Sequence, residues 1–367
     1  MPGRAIVPLL THEMPDGGAA SLAQLLDART RAGTLVEPGA GGAVRCVACG
    51  HRCLVKPGRR GICKVRFNRD GALRVPAGYV AALQCDPTEK KPFFHCLPGS
   101  DTLTFGMLGC DFHCGYCQNW LTSQALRDDA AGVTPTDVTA EGLAALAVRQ
   151  GARMVGSSYN EPLITAEWAV EVFRAARARG LKTAFISNGN ATPEALDLIR
   201  PWTDCSKIDL KAIDDRRYRE LGGVLGHVLD AIRAVHARGF WLEVVTLVVP
   251  GFNDSDDQLT RAAEYLASVS PEIPWHVTAY HPDYRMTDPA PTPAETLVRA
   301  CELATRAGLK FVYAGNQPGR VGRWEHTHCP DCGDRLIERA GYVIRTQRVG
   351  ADGRCPSCGR RIPGVWC

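Results

Sequence analysis

Three cysteines in one short run could hold a reactive metal cluster. Cys110, Cys114 and Cys117 have the spacing C-x3-C-x2-C, and their loop contains no fourth cysteine. Three thiolates in one loop can bind three irons of a [4Fe-4S] cluster, which leaves the fourth iron open to a small ligand. The alternative is a zinc loop or a set of reduced structural thiols, although zinc usually takes four ligands in pairs. The three-ligand count therefore favours a reactive cluster over a storage cluster.

A second group of cysteines lies upstream of this loop. Four sulfurs fall within eighteen residues and could close one metal site, with His51 replacing or orienting one of them. They are Cys46, Cys49, Cys53 and Cys63. The site could hold an auxiliary iron–sulfur cluster or a structural zinc ion, and spacing alone does not separate the two. Structural zinc is the favoured interpretation.

Two matching knuckles near the C-terminus predict a zinc ribbon. Each has the pattern C-P-x-C-G, in which the glycine allows a tight turn that offers amide protons to sulfur. Their ligands are Cys329, Cys332, Cys355 and Cys358, and the segment 342–346 between them is predicted to be a strand. A rubredoxin-like iron site would use the same four thiolates, but zinc is favoured.

Length and composition exclude several classes of function. The chain has 367 residues, 16 cysteines and a net charge of +4. We expect a large domain with small modules, no signal peptide and no membrane span. The chain is therefore expected in the reducing cytoplasm, where thiols bind metals rather than pair as disulfides. Its dispersed, weakly positive charge does not predict binding to nucleic acid.

The elements that must position these groups alternate between short apolar strands and amphipathic helices. Strands are predicted at 102–107, 153–158, 182–187, 205–210, 241–249 and 275–280, with 310–313 as a further candidate. Such alternation implies parallel strands with right-handed crossovers and functional groups at the strands' carboxyl ends. The predicted fold class is α/β: a partial (β/α)6 barrel with an N-terminal Cys-rich module and a C-terminal zinc-ribbon-like module.

These features divide the chain into four parts. They are a leader and linker (1–44), an N-terminal Cys-rich module with a loop (45–99), the partial barrel (100–320) and the zinc-ribbon-like module (321–367). The loop segment 86–100 is rich in charge and precedes the first barrel strand. It could line the mouth of the barrel or be a solvated loop, while Phe93 and Phe94 predict that part of it packs down.

The cysteine loop and the strand ends together resemble the radical SAM enzymes, over roughly residues 100–315. The resemblance implies that the three cysteines bind [4Fe-4S] and that S-adenosyl-L-methionine chelates the open iron. Tyr116, before the last cysteine, would contact the adenine. Glu161 would accept the cofactor's ammonium group, although it stands in Ser-Tyr-Asn-Glu-Pro where the superfamily usually has Gly-Gly-Glu-Pro.

A closer resemblance is to the activating enzymes of glycyl radical proteins, such as the pyruvate formate-lyase activase. Ser-Asn-Gly at 187–189, Asp-Leu-Lys at 209–211 and Tyr-His at 280–281 resemble their Thr-Asn-Gly, Asp-Leu-Lys and Tyr-His. The resemblance implies cofactor contacts from Ser187, Asn188, Asp209, Lys211 and His281. Activases place an aspartate before Thr-Asn-Gly that helps to bind a monovalent cation. Ile186 stands at that position here, so the cation site is not expected.

Residues 45–367 resemble a narrower group, the radical SAM protein of the AmmeMemoRadiSam system. The marks are the C-x2-C-x-H-x-C module, the segment 86–100, the Cys-Gln-Asn-Trp extension at 117–120 and the C-terminal Ile-Pro-Gly-Val-Trp at 362–366. This resemblance implies kinship with Memo-like and AMMECR1-like companion proteins. It does not assign a substrate.

The predicted function is that of a radical SAM oxidoreductase, related to activating enzymes. The resemblance implies an electron donor such as flavodoxin or ferredoxin, and cleavage of the cofactor to a 5'-deoxyadenosyl radical that abstracts hydrogen. The substrate could be a small molecule in the barrel or, in a glycyl radical enzyme activase, a protein glycine. A third possibility is a non-catalytic, zinc-stabilised interaction protein. The intact three-cysteine loop, with the polar strand ends, makes it the least favoured.

Overall fold

The computed structural model shows the alternation of strands and helices that the sequence predicts. It describes residues 4–5 and 20–367, so residues 1–3 and 6–19 of the predicted leader lie outside the described residues. The described residues form two compact units. The first contains the residues up to Asp86, with Asp101–Asp204 and Leu221–Gly223, and the second contains Pro87–Ser100, Cys205–Glu220 and Val224–Cys367.

The first unit combines N-terminal strands with three parallel strands. Its strands are β1 (Arg4–Ala5), β2 (Thr30–Ala32), β3 (Val36–Pro38), β4 (Val44–Cys46), β5 (Leu54–Val55), β6 (Phe67–Arg69), β7 (Ala72–Pro76), β8 (Tyr79–Val80), β9 (Ala82–Pro87), β10 (Asp101–Gly106), β11 (Thr136–Asp137), β12 (Met154–Ser157) and β13 (Lys182–Ser187). Its helices are α1 (Leu22–Ala28), α2 (Trp120–Ser123), α3 (Ala140–Arg149), α4 (Ala166–Arg177) and α5 (Pro193–Ile199).

Parallel pairing of β10, β12 and β13 brings their carboxyl ends to one edge. Thr102 pairs with Met154, and Val155 pairs with Thr183. Burial along β12 and β13 is almost continuous, as expected for parallel strands covered on both faces. Helix α4 buries its own apolar face, which contains Phe173, and packs against β12 and β13.

A buried ion pair fastens the Cys-rich module to α4. Arg66 is 1% exposed, and its two terminal nitrogens each donate to an oxygen of Glu167 at 2.8 Å. A buried charge pair is costly to desolvate, but a bidentate geometry recovers much of that cost. Residues 45–86 of the Cys-rich module, in which β4 and β5 pair in one antiparallel sheet with β3, are therefore an integral part of the first unit.

The second unit contains four parallel strands and a small antiparallel sheet. Its strands are β14 (Cys205–Asp209), β15 (Trp241–Val248), β16 (Trp275–Ala279), β17 (Val312–Gly315), β18 (Thr327–His328), β19 (Arg335–Ala340) and β20 (Val343–Gln347). Its helices are α6 (Asp215–Glu220), α7 (Leu225–Ala237), α8 (Asp256–Val269) and α9 (Ala294–Arg306). Parallel registers join β14 to β15, β15 to β16 and β16 to β17.

The segment 87–100 is packed into the second unit rather than solvated. Glu243, on β15, accepts hydrogen bonds from the backbone amides of Phe94 at 3.0 Å and His95 at 2.9 Å. The ring of His95 contacts the hydroxyl of Tyr313 at 2.5 Å. Glu243 and Tyr313 lie near the amino ends of their strands, so His95 lies at the opposite end from the predicted mouth. The prediction of packed phenylalanines agrees with the burial of Phe93 and Phe94.

The part of the chain that the structure describes contains no candidate for a membrane-spanning helix. None of its helices combines enough length and apolar character to cross a bilayer.

Candidate functional site

The loop of Cys110, Cys114 and Cys117 follows β10 and returns into α2. Backbone NH groups and hydroxyls lie close to its sulfurs: the amide of Phe112 donates to Cys110 Sγ at 3.3 Å, and Ser123 Oγ lies 3.1 Å from Cys117 Sγ. None of the three thiols is in a disulfide. Hydrogen bonds to sulfur stabilise thiolates that bind iron. The loop therefore fits a [4Fe-4S] cluster held by three ligands.

Gly109 lets this loop lie directly against the Cys-rich module. Its φ is +94°, which favours glycine, and a Cβ there would lie 2.9 Å from Val65 Cγ1 and 3.1 Å from the carbonyl oxygen of Cys63. The close approach of two backbones thus requires glycine on the first cysteine's N-terminal side.

Asp111 is a buried carboxylate that the sequence analysis missed. Its side chain accepts hydrogen bonds from the amides of Asn188 at 2.7 Å and Asn190 at 2.8 Å. The ring Nε2 of His51 lies 3.2 Å from the carbonyl oxygen of Asp111. Asp111 therefore connects the cysteine loop to the end of β13 and to the Cys-rich module. A carboxylate next to the first cysteine is the only signal in the sequence that could have indicated it.

Glu161, Ser187 and Asn188 lie together, as the strand-end pattern predicts. One oxygen of Glu161 accepts from Ser187 Oγ at 2.7 Å, and the other accepts from the backbone amide of Asn188 at 2.7 Å. Burial raises the pKa of Glu161 to about 8, with a further contribution from the charge of Asp111 and an opposing one from these donors. Two buried carboxylates thus lie close to the thiols, an arrangement that favours a cationic ligand.

Asp209 and Lys211 form an ion-pair group in the second unit. Lys211 Nζ lies 3.2 Å from Asp209 Oδ2, and Lys207 Nζ contacts the other oxygen of the same carboxylate. Burial by itself raises the pKa of Asp209, but Lys207 and Lys211 outweigh it and hold that pKa at about 2. Asp209 is therefore a carboxylate at any physiological pH. Lys207 was not predicted; it lies one alternation before Asp209 on the same face of β14.

The two remaining predicted cofactor contacts differ in exposure. Tyr116 is 4% exposed within the cysteine loop. His281 lies two residues after the end of β16 and is exposed, with its ring Nδ1 3.2 Å from the carbonyl oxygen of Pro282. Glu161, Ser187, Asn188 and Tyr116 belong to the first unit, whereas Asp209, Lys211 and His281 belong to the second.

The N-terminal cysteines occupy the β4–β5 hairpin and the loop that follows it. Cys46, Cys49 and Cys63 are buried, and Cys53 is half-buried. Burial, with a smaller contribution from the neighbouring Cys46, raises the pKa of the Cys63 thiol to about 11. The Cys63 thiol therefore stays protonated at neutral pH unless a metal ion displaces the proton.

The C-terminal knuckles form a group of thiols at the spacing of a single metal ion. The sulfurs of Cys329, Cys332, Cys355 and Cys358 all lie within 4.8 Å of one another. Cys329 and Cys358 are 3.6 Å apart, and Cys332 and Cys355 are 3.7 Å apart. A tetrahedral zinc ion with bonds of about 2.3 Å places its sulfurs about 3.8 Å apart. The geometry therefore suits one four-coordinate ion.

One cysteine pair departs from the expectation that no disulfide forms. Cys96 and Cys205, both fully buried, are joined as a disulfide in the second unit. Because the segment 87–100 packs down against this unit, residues 109 positions apart in sequence come together. The expectation was wrong for this pair because it rested on the compartment and took no account of packing.

A family model and a relative of similar length match this chain. The family model described as "Radical SAM superfamily" matches residues 105–263. These residues include the cysteine loop and the ends of β12, β13 and β14. The uncharacterized protein MJ0808 of Methanocaldococcus jannaschii is 36% identical over 324 residues, which cover 87% of this chain and 95% of that protein.

Two further similarities are to proteins of known activity or structure. Pyruvate formate-lyase 1-activating enzyme of Escherichia coli K12 is 26% identical over 236 residues, covering 59% of this chain and 93% of the enzyme. The structure of Streptococcus suis SuiB bound to S-adenosylmethionine matches with a TM-score of 0.46 and 15% identity, covering 60% of this chain and 51% of SuiB. On these matches, residues 105–263 form a radical SAM domain, and this chain is homologous to the pyruvate formate-lyase activating enzymes.

Proposed function

We propose that this protein is an enzyme that binds [4Fe-4S] through Cys110, Cys114 and Cys117 and cleaves S-adenosylmethionine reductively. The observation that carries the proposal is the hydrogen-bonded chain from the cysteine loop to two strand ends. Asp111 contacts Asn188, and Asn188 contacts Glu161. These hydrogen bonds hold two buried carboxylates, those of Asp111 and Glu161, near the thiols. When bound, the cluster supplies the electron that splits the cofactor into methionine and a 5'-deoxyadenosyl radical, which abstracts hydrogen from the substrate.

Glu161 is the proposed acceptor for the cofactor's ammonium group. With its pKa raised to about 8, the carboxyl is mostly protonated at neutral pH when no cation is nearby. A neighbouring ammonium favours the charged carboxylate, so binding releases a proton from Glu161. The donors from Ser187 and Asn188 hold the carboxylate in one orientation and allow it to receive the ligand without rearrangement.

Further cofactor contacts are proposed from the similarity to activating enzymes. Asp209 would accept hydrogen bonds from the ribose hydroxyls, and Lys211 with His281 would bind the carboxylate. Tyr116 would contact the adenine. The support from this chain is that Asp209 stays ionised at neutral pH between Lys207 and Lys211. The seven parallel strands are proposed to form a partial (β/α)6-type barrel around this site.

Zinc is the proposed ion of the C-terminal knuckles. Four thiolates and sulfur spacings of 3.6 and 3.7 Å support it, because they match the edges of a zinc–sulfur tetrahedron. The knuckles and the sheet of β18, β19 and β20 together would then be a zinc ribbon.

The proposed setting is a cytoplasmic pathway with an electron donor such as flavodoxin or ferredoxin. Memo-like and AMMECR1-like proteins are proposed companions, on the resemblance of residues 45–367. A second candidate function is a glycyl radical enzyme activase. It is favoured by the match that covers 93% of the E. coli pyruvate formate-lyase 1-activating enzyme.

Anaerobic reconstitution tests the proposal. With dithionite and S-adenosylmethionine, the reconstituted protein should produce 5'-deoxyadenosine, and Cys114→Ala should abolish this because a cluster with two ligands is not held. The exposed Cys367 provides a matched control, since Cys367→Ser should leave the product unchanged. Wild-type rates in a folded Cys114→Ala protein would refute the assignment. Transfer of hydrogen from a labelled protein glycine would identify the activase reaction.

A further inference from the structure

Residues 45–86 of the Cys-rich module carry the excess positive charge of this chain. They contain nine Lys and Arg residues against two Asp residues, whereas the rest of the chain contains 34 Lys and Arg against 37 Asp and Glu. Of the two acids in the module, Asp86 is buried and Asp70 is exposed. A charge excess confined to one small module indicates a surface that attracts an acidic partner.

Four exposed cations of the module have no carboxylate partner among the described residues. They are Lys56, Arg59, Lys64 and Arg69. Arg60 and Arg66 differ from them, because Arg60 pairs with Asp27 at 2.6 Å and Arg66 pairs with Glu167 at 2.8 Å. The field of an unpaired surface cation extends about 10 Å into a solution of 0.1 M salt. These four side chains can therefore attract a negatively charged protein from solution.

Two exposed apolar side chains lie in the same module. In the part of the chain that the structure describes, five large apolar residues are exposed, and two of them are Leu54, at 53%, and Ile62, at 39%. Apolar side chains surrounded by charge are typical of protein–protein interfaces, in which the charges form the rim. The module therefore has the composition of a docking surface for a protein rather than that of a site for a small ion.

Contacts join several of these side chains into one surface. Arg60 donates to the carbonyl of Lys64 at 3.1 Å, and its guanidinium carbon lies 4.9 Å from the centre of the Phe67 ring. The guanidinium carbon of Arg69 lies 5.2 Å from the centre of the same ring. Ile62 stands two residues before Lys64 in the same turn. We call Arg60, Ile62, Lys64 and Arg69 the basic surface.

The turn that carries Lys64 lies against the loop proposed to bind the [4Fe-4S] cluster. Lys64 stands between Cys63 and Val65 in the sequence. A Cβ on Gly109 would lie 3.1 Å from the carbonyl oxygen of Cys63 and 2.9 Å from Val65 Cγ1, so the two backbones are in direct contact. Because Gly109 precedes the first cysteine of the loop, the basic surface lies beside the thiols.

Arg127 extends the basic surface onto the cysteine loop itself. It donates to the carbonyl of Ile62 at 2.5 Å and to that of Phe112, within the loop, at 2.6 Å. The thiols of Cys110 and Cys117 in this loop are half-buried. A protein bound at the basic surface would therefore lie next to a loop whose sulfurs approach the molecular surface.

We propose that the basic surface and Arg127 dock an acidic protein that carries one electron, which passes to the cluster of the Cys110 loop. The proposal rests on the radical SAM function proposed above and names the surface at which its electron donor binds. The carrier is oxidised by one electron and the cluster is reduced by one, so no proton or further reactant is required. Interfaces between redox partners are small, below about 1,200 Å², and a few cations around one apolar side chain suit such an encounter.

Charge reversal tests the docking surface. Lys64→Glu/Arg69→Glu in the full chain should weaken the binding of flavodoxin, an acidic one-electron carrier, about tenfold or more, because attraction becomes repulsion. Surface plasmon resonance under anaerobic conditions measures the affinity. The matched control is Arg149→Glu/Arg345→Glu, which changes the net charge equally at two exposed positions outside the module.

Three results of the binding measurement would overturn the proposal. They are no binding of flavodoxin to the wild type, equal affinity of the wild type and Lys64→Glu/Arg69→Glu, and equal weakening by both double variants. Binding of an acidic protein without a redox group as tightly as flavodoxin would also overturn it, since the surface would then attract any acidic protein.

Turnover provides a second measurement. Lys64→Glu/Arg69→Glu should lower the ratio of flavodoxin-driven to dithionite-driven 5'-deoxyadenosine formation about tenfold or more, since dithionite needs no docking surface. In the wild type, raising the salt from about 0.05 M to about 0.5 M should lower this ratio as well, which requires no variant. A ratio that responds to neither change would refute the docking surface. If the wild type makes no 5'-deoxyadenosine even with dithionite, the proposed function fails, while the affinities still decide the docking surface.

Discussion

At the scale of single residues, the site depends on carboxylates that are buried beside thiols. Asp111 and Glu161 are 0% and 2% exposed, and amide and hydroxyl groups supply the hydrogen bonds described for both. Neutral donors stabilise a carboxylate less than a cation does. The protonation of Glu161 should therefore respond both to pH and to a positively charged ligand.

Glu161 gives the cofactor-free, iron-free protein a defined pH dependence. Its folded-state pKa of about 8 exceeds the ordinary 4.5, so its contribution to stability is full below pH 4.5 and is lost as the pH rises through 8. Glu161→Gln, which stays neutral, should flatten this part of the profile of unfolding free energy against pH. Urea unfolding between pH 5 and pH 9 measures it, and identical slopes for wild type and variant would contradict the raised pKa.

Lys211 should contribute to binding of the cofactor. A charged hydrogen bond is worth about 1.5–3 kcal/mol, so Lys211→Ala should weaken S-adenosylmethionine binding about ten- to a hundredfold without removing iron. Lys211→Arg should recover little, because a planar fork does not replace a compact ammonium. The exposed Lys310 offers a control, Lys310→Ala. Equilibrium dialysis under anaerobic conditions gives the affinity. An unchanged Kd would contradict the proposal that Lys211 and Asp209 contact the cofactor.

At the scale of elements, one loop joins three parts of the first unit. The Cys110 loop leaves β10, lies against the Cys-rich module at Gly109 and is tied through Asp111 to the residues after β13. The amide of Gly109 also donates to the carbonyl of Thr122 in α2 at 2.9 Å. The position of the thiols is therefore set by contacts from several elements and not by the loop alone.

Gly109→Ala should test this arrangement. A positive φ of 94° strains alanine by about 1–3 kcal/mol, and its Cβ would press on Val65 and the carbonyl of Cys63. We expect a lower unfolding free energy and less iron retained after reconstitution. Gly115→Ala in the same loop is the control for stability in the iron-free protein, because a Cβ there meets nothing within 4 Å. Equal destabilisation by both changes would show that the contact at Gly109 is not important.

At the scale of the whole second unit, the C-terminal cysteine knuckles share a buried core with β17 and with the segment 87–100. The buried cluster around Cys329 and Cys355 includes Phe94, Phe311 and Tyr313, which lie outside residues 321–367. Arg339 of β19 donates to the carbonyl of Phe94 at 3.0 Å, and its guanidinium carbon lies 4.0 Å from the centre of that ring. Metal at the knuckles should therefore stabilise the strands of this unit as well.

Cys332→Ser, or removal of the metal by a chelator, should accordingly destabilise the parallel strands of the second unit as well as the C-terminal knuckles. Structural zinc contributes about 10–16 kcal/mol to folding of small zinc domains, so loss of even part of this should lower the Tm by about 10 °C or more. Calorimetry of the full chain measures it, with Cys367→Ser as control. A fragment of residues 321–367 should bind zinc but pack less well, since it lacks Phe94 and Tyr313. Full folding of that fragment without metal would refute the zinc interpretation.

Local patterns in the sequence determined the strands and the groups of thiols. The six predicted strands and the further candidate at 310–313 are all present within two residues of their expected positions, because hydrophobic runs and their spacing are local properties. The same holds for the knuckles at 329–332 and 355–358, whose sulfurs converge as a four-ligand spacing requires. The strand-end residues Glu161, Ser187 and Asn188 also meet, since parallel strands end at one edge.

Tertiary structure alone decided which polar groups are buried and what they touch. Asp111, Lys207 and Arg66 look like ordinary charged residues in the sequence, yet each is placed in a buried or nearly buried pair or network. The Cys96–Cys205 disulfide likewise joins residues 109 positions apart. Spacing along the chain predicts which groups can share one loop or strand edge, but burial and long-range pairing depend on how separate elements pack, and no local pattern encodes that.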